Sequence, residues 1–319
     1  MQSSQRSIKF GVVFTPEHTT FKELLELYRM VEDLGFDSAW TSDHFITSTR
    51  GGGGPRYEGW VSLTYLLSQT ERIRGGVYVS GVTHRHPAVL AKMASTLDAI
   101  SNGRLIFGIG AAYNQVEHTA YGIPFYTAAE RIHRLDEACE LIKKLWSLQP
   151  GERANYQGNY YNLADAPFEP QSVQKPHPPM LIGGGGEKLT LRVVAKWADW
   201  WNIQERPLEE VRRKMSILEQ HCQAVGRNYN DIKKTVGLPF IMTPDRSRGR
   251  ALAERIAQRR GITVEEAASS CYLGTVDDMK ELTQRYIDIG VTYFTMPLLP
   301  PFRVDDLRRF GEEVLPAFI

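Results

Sequence analysis

The sequence is short of cysteine, of excess charge and of long apolar runs, and each shortage removes a class of protein. Cys139, Cys222 and Cys271 are scattered with no ligand spacing, and the first two fall in helical patterns. All three read as packing or surface thiols in a reducing compartment, so a cytoplasmic location is expected. Lys and Arg number 38 against 37 Asp and Glu, which leaves no basic stripe and no argument for nucleic acid. The apolar runs fall well short of the roughly 18–20 residues that cross a bilayer, so no membrane span is expected. The N-terminal MQSSQRSIKF has no apolar signal core and reads as a frayed tail. HExxH and GxSxG are missing, and no histidines and carboxylates gather at zinc spacing, so no metal is expected. No internal repeat or linker divides the 319 residues, which are expected to form a single domain over 1–319.

What is present centres on 180–202, MLIGGGGEKLTLRVVAKWADWWN. A short apolar run suits a buried strand, four glycines follow, 187–196 has helical spacing, and 198–202 begins another strand. Glycines at a helix start let a phosphate approach bare N–H groups that the helix dipole already favours for anions. The same glycines also suit a plain strand-to-helix turn that needs positive φ.

Strand and helix alternate along the whole chain. Strands are expected over 8–14, 36–41, 73–80, 104–109, 180–182, 198–202, 232–242 and 291–296, each followed by a helix. A hairpin is expected over 151–163, and a charged helical insertion over 243–273, after the seventh strand. Eight such units close into a TIM (β/α)8 barrel; a doubly wound open sheet is disfavoured because nothing breaks the alternation into halves. The loop over 46–59, with Gly51 to Gly54, is a plain connection or a flap.

A barrel places its site at the C-terminal strand ends. Asp43 and His44 lie there after strand two, Val79 and Ser80 after strand three, and Gly110 to Asn114 after strand four with Glu117 and His118 behind. Gly183 to Gly186 follow strand five, and Asn202, Gln204 and Glu205 follow strand six. Asp43 and His44 could pair as a general base, or Asp43 caps the loop while His44 packs or binds a ligand. Glu117 and His118 read as a solvated loop pair or as lesser catalytic candidates. His84 and His86 read as capping or polar filling. Few nucleophiles, no metal and one phosphate-like loop suit an enzyme whose chemistry belongs to a bound cofactor. A non-redox hydrolase or lyase would need a carboxylate pair, for which Glu58 and Glu117 are the acids on offer. A non-catalytic cofactor-binding protein is the third reading.

The segments TSDHF (41–45), RHPAVLAKMASTLDAISNGRL (85–105), GIGAAYNQVEHTAYGIPF (108–125), IGGGGEKLTLRVVAKWADWWN (182–202) and GT before an acidic helix start (274–278) occur in this order. Together they resemble the bacterial-luciferase-like monooxygenase superfamily, in particular its F420-dependent oxidoreductase branch, nearly end to end. The resemblance implies a TIM barrel with an insertion after the seventh strand, a homodimer, and coenzyme F420, or alternatively FMN, at the C-terminal mouth. With F420 the reaction is hydride transfer to or from a small organic substrate. With FMN it is oxygen insertion, with a partner flavin reductase. Gly184, Gly185 and Gly186 would hold the cofactor phosphate, and Asp43 and His44 would lie near its ring with Glu117 and His118 as further catalytic candidates. Tyr78, Val79 and Ser80 would lie behind the ring, where the family often has a non-prolyl cis peptide, and Asn114 would make a polar contact. The family's strand-four loop often reads GAGW, and here it is Gly110-Ala111-Ala112-Tyr113.

Overall fold

The computed structural model describes residues 8–48 and 53–319; most of the expected N-terminal tail, and Gly51 and Gly52 of the glycine run, lie outside them. In order the elements are β1 (Lys9–Phe14), α1 (Phe21–Asp33), β2 (Ser38–Thr41), α2 (Gly59–Ser68), β3 (Arg74–Val77), β4 (Ser80–Gly81), α3 (Pro87–Ile100), β5 (Phe107–Gly110), α4 (Gln115–Ala120) and α5 (Ala128–Trp146). Then come β6 (Arg153–Gln157), β7 (Asn162–Pro167), β8 (Met180–Gly183), α6 (Thr190–Trp197), β9 (Trp200–Gln204), α7 (Leu208–Ala224), β10 (Lys233–Gly237) and β11 (Phe240–Met242). Next are α8 (Arg246–Arg260), α9 (Val264–Ser269), β12 (Tyr272–Gly274), α10 (Val276–Asp288), β13 (Tyr293–Leu298) and α11 (Val304–Arg309), and the chain ends in a π-helical segment (Phe310–Val314) and a 3-10 turn (Leu315–Ala317).

The main sheet runs β3-β2-β1-β13-β10-β9-β8-β5-β4, every pairing parallel. Its two ends, β3 and β4, are halves of one strand interrupted at Tyr78 and Val79, and Gly75 bridges Leu105 across the gap. The ring therefore closes as the expected eight-stave barrel. Val13, Trp40, Tyr78, Ile106, Leu181, Trp200 and Tyr293 cluster as a buried group distinct from the main core. The far larger core lies between strands and helices, drawing on Leu24, Leu63, Leu90, Leu141, Val194 and Leu218.

Local chemistry explains most boundaries. Thr20 caps α1 by accepting from the Glu23 N–H, and Gly35 at φ 84° follows its end. Pro87 opens α3 behind His86, whose ring accepts from the Ala88 N–H. The expected seventh strand over 232–242 is two strands. β10 ends at Gly237, Pro239 offers no N–H to the barrel ladder, and β11 leaves to pair in parallel with β12. The insertion is thus α8 and α9 between the strands of a small separate sheet. The hairpin forms as β6 and β7, with Gly158 and Asn159 in its loop.

Candidate active site

The C-terminal strand ends surround a cavity of about 650 Å³. One end is glycine. β8 delivers Gly183, Gly184 has φ 133°, and the chain reaches α6 only at Thr190, after one more turn than the helical spacing suggests. The Gly184 N–H is spent on the Asn202 carbonyl at 3.0 Å. The N–H groups of Gly185 and Gly186 have no acceptor among the described residues. A Cβ on Gly185 would lie 3.0 Å from Ile203 Cδ1, and one on Gly186 would lie 2.7 Å from Thr190 Oγ1. The Lys214 ammonium is held beside the loop by the Gly185 carbonyl at 2.8 Å and by Glu187 at 3.2 Å. Bare N–H groups, a hydroxyl and a cation together suit a phosphate.

The other end is ionic, and its pairing differs from the sequence expectation. Asp43 and His44 do not pair with each other. Asp43 is buried and accepts from both Arg85 terminal nitrogens, at 2.8 and 3.0 Å, and from His84 Nδ1 at 3.1 Å. Burial pushes its carboxyl up, but the bonds from His84 and Arg85 outweigh this and bring it to about 2. It is a fixed anion at neutral pH, unsuited to general-base work. His44 pairs instead with Glu117, Nδ1 to Oε1 at 2.9 Å, while Glu117 Oε2 accepts from the Phe45 N–H at 3.0 Å. Burial raises the Glu117 carboxyl, and the bond and charge of His44, with the Phe45 N–H, carry it below its usual range. An ionised Glu117 can only accept, so His44 Nδ1 carries the hydrogen. Its Nε2 lies 3.3 Å from the Tyr113 hydroxyl.

The Glu117–His118 pair is not a solvated loop; both are buried on the short helix α4. His118 Nδ1 meets the Asn114 carbonyl at 2.7 Å and its Nε2 meets Thr83 Oγ1 at 2.7 Å. His118, Asn114 and Ser80 do not line the cavity. The Asn114 side chain caps α4, and the Ser80 hydroxyl accepts from the Trp60 indole at 2.9 Å. Tyr78 and Val79, joined by a cis peptide, do line it. The Tyr78 phenol bonds Asn202 and Thr295 at 2.8 and 2.7 Å, and burial pushes it up to about 12. Ala112 takes φ 58°, a conformation glycine adopts freely. Glu58 caps α2 and pairs with Arg85, so it offers no carboxylate partner to Glu117 across the cavity.

The model for luciferase-like monooxygenase matches residues 8–291. The chain belongs to the luciferase-like monooxygenase family. A relative from Kineococcus radiotolerans, an F420-dependent glucose-6-phosphate dehydrogenase, is 35% identical over 75% of this chain and 69% of its own. One of the same name from Microbacterium testaceum is 28% identical, with 97% of each chain covered. Among solved structures, the coenzyme F420-dependent tetrahydromethanopterin reductase of Methanopyrus kandleri superposes with a TM-score of 0.80 at 20% identity, covering 98% of this chain and 100% of its own. That last likeness speaks for the fold.

Within this luciferase-like site the sequence left several contributors unread. His84 lines the cavity rather than filling a helix start, and Arg85 anchors Asp43. Arg56 donates to the His44 carbonyl at 2.9 Å and to Ser42 Oγ at 2.7 Å, fixing the backbone that carries His44. Thr190 and Lys214 complete the glycine end. The sequence shows no metal-ligand spacing, yet the fold gathers one set of possible donors. His84, Glu117 and His118, remote in spacing, place ligand atoms within 4.8 Å of one another.

Proposed function

We propose that the protein is an oxidoreductase that moves a hydride between coenzyme F420 and a small organic substrate. The observation that carries this is one cavity with a glycine cradle at one end and a buried-carboxylate-backed histidine at the other. The F420-dependent names of the relatives support it. The cradle fits a phosphate-bearing ring cofactor, with Gly185, Gly186, Thr190 and Lys214 holding the phosphate and Tyr78 and Val79 behind the ring. The bound deazaflavin supplies the hydride-carrying carbon. Glu117 fixes His44 with its hydrogen on Nδ1, which leaves Nε2 to hold or move a proton at a substrate oxygen. Arg85 keeps Asp43 charged, and Asp43 in turn orients His84. The whole chain, 1–319, acts as one domain.

Turnover under strict exclusion of oxygen tests the reading. Reduced coenzyme F420 is expected to reduce a panel of ketones, aldehydes, imines or enones without oxygen. Turnover that requires FMN, oxygen and a reductase would replace it with the monooxygenase reading. A Gly186→Ala variant is expected to bind coenzyme F420 about tenfold more weakly, or ~1.4 kcal/mol, because its methyl meets Thr190; unchanged affinity by calorimetry would remove the cradle from the account.

We further infer a homodimer joined through α2 and α3. Val61 and Tyr65, one helical turn apart, and Val89 are exposed on these helices, whose starts are tied by Arg85 and Glu58. Light scattering is expected to give twice the chain mass, and the double variant Val61→Asp, Val89→Asp to give the chain mass alone; a monomeric parent protein would refute this. Among the described residues no helix is long and apolar enough to cross a membrane. All three cysteines are buried and unpaired, which supports a reducing cytoplasm.

A further inference from the structure

We propose that His84, Glu117 and His118 form a site for a divalent transition metal of the zinc class, opening on the active-site cavity. The donors are two imidazole nitrogens and a carboxylate oxygen, the set that such ions take as three protein ligands with a fourth position open. Both rings are already turned for it. His84 Nδ1 donates to Asp43 Oδ2 at 3.1 Å and His118 Nδ1 donates to the Asn114 carbonyl at 2.7 Å. These are the outer partners that ligating histidines use, and each fixes the tautomer that leaves Nε2 with its lone pair.

The second observation is an orphan. Among the described residues His84 Nε2 has no hydrogen-bond partner, although the side chain is 2% exposed. It lies 3.9 Å from Glu117 Oε1, too long for a hydrogen bond. A bare imidazole nitrogen facing an ionised carboxylate is unfavourable, and a cation between them satisfies both. Ligands at ~2.1 Å from a tetrahedral ion stand about 3.4 Å apart, so binding draws the three inward by side-chain rotation. Thr83 Oγ1, now 2.7 Å from His118 Nε2, swings aside. His84 and Glu117 line the cavity, which supplies the entry path and the open position.

The site stands whether or not coenzyme F420 binds. It shares Glu117 with His44, so a bound metal competes with His44 for that carboxylate and lowers turnover. The full-length chain, stripped with a chelator, is titrated with Zn²⁺ against a chromophoric competitor. One equivalent per chain is expected, and His84→Ala and His118→Ala are each expected to weaken it at least about tenfold while melting as folded proteins. Co²⁺ added to the unmutated chain is expected to give a strong visible band that Zn²⁺ abolishes, a readout that survives if either variant fails to fold. Absence of that band, no equivalent of Zn²⁺ bound, or affinity unchanged from the parent chain in both folded variants would overturn the site.

Discussion

Replacing His44 by alanine is expected to lower kcat by about 10²–10⁴-fold while leaving the affinity for coenzyme F420 within about threefold. The expectation rests on geometry. His44 Nδ1 is tied to Glu117 at 2.9 Å, and the ring reaches the cavity with Nε2. The glycine end of the cavity, which the cofactor phosphate would occupy, is built from different strands. A loss of this size, about 3–5 kcal/mol, belongs to proton handling rather than to cofactor docking. Exogenous imidazole should restore part of the rate in His44→Ala, because the deleted group is the one supplied. Glu117→Gln should show a smaller loss, since the amide can still bond His44 but no longer carries the charge. A purely structural His44 would produce no imidazole rescue, and a kcat within twofold of the parent value would remove it from the chemistry.

Asp43→Ala is expected to cost about 3–5 kcal/mol of folding stability. Asp43 is the anion against which Arg85 and His84 are buried, and deleting it strands both. The parent protein should reveal the same carboxylate through pH. Its folded value of about 2 lies below the ordinary 3.8. The contribution is therefore complete above about pH 4 and is lost as pH falls through 2; it is worth ~2 kcal/mol. Denaturant unfolding of Asp43→Ala at neutral pH, and of the parent protein from pH 5 downward, measures both. Stability within 1 kcal/mol of the parent for Asp43→Ala would show that Arg85 is adequately held by Glu58 alone.

The barrel was legible because its signals are local. Strand and helix spacing, Gly35 after α1 and Pro87 at the start of α3 are written in neighbouring residues, and the hairpin announced itself by Gly158 and Asn159. The divided seventh strand was less legible: an apolar run hides which sheet each half joins, and only Pro239 marks the break. The candidate site was half readable. Gly183 to Gly186 stand next to one another in the chain, so a phosphate loop could be suspected. The ionic end could not be read, because adjacency misleads there. Asp43 and His44 are neighbours yet face different partners, 42 and 73 residues away. His84 looked like helix-start polarity, since nothing in the sequence places it between Asp43 and Glu117. Lys214 comes from the buried face of α7, where the helical pattern marks it only as a charged position.

In the proposed function the glycine end and the His44 end of one cavity serve coenzyme F420. Calorimetric titration of the purified, cofactor-free chain with coenzyme F420 and, separately, with FMN tests it most directly. Micromolar binding of F420, with FMN at least about tenfold weaker, or ~1.4 kcal/mol, is the predicted result. Tighter binding of FMN, or binding of neither, would contradict it.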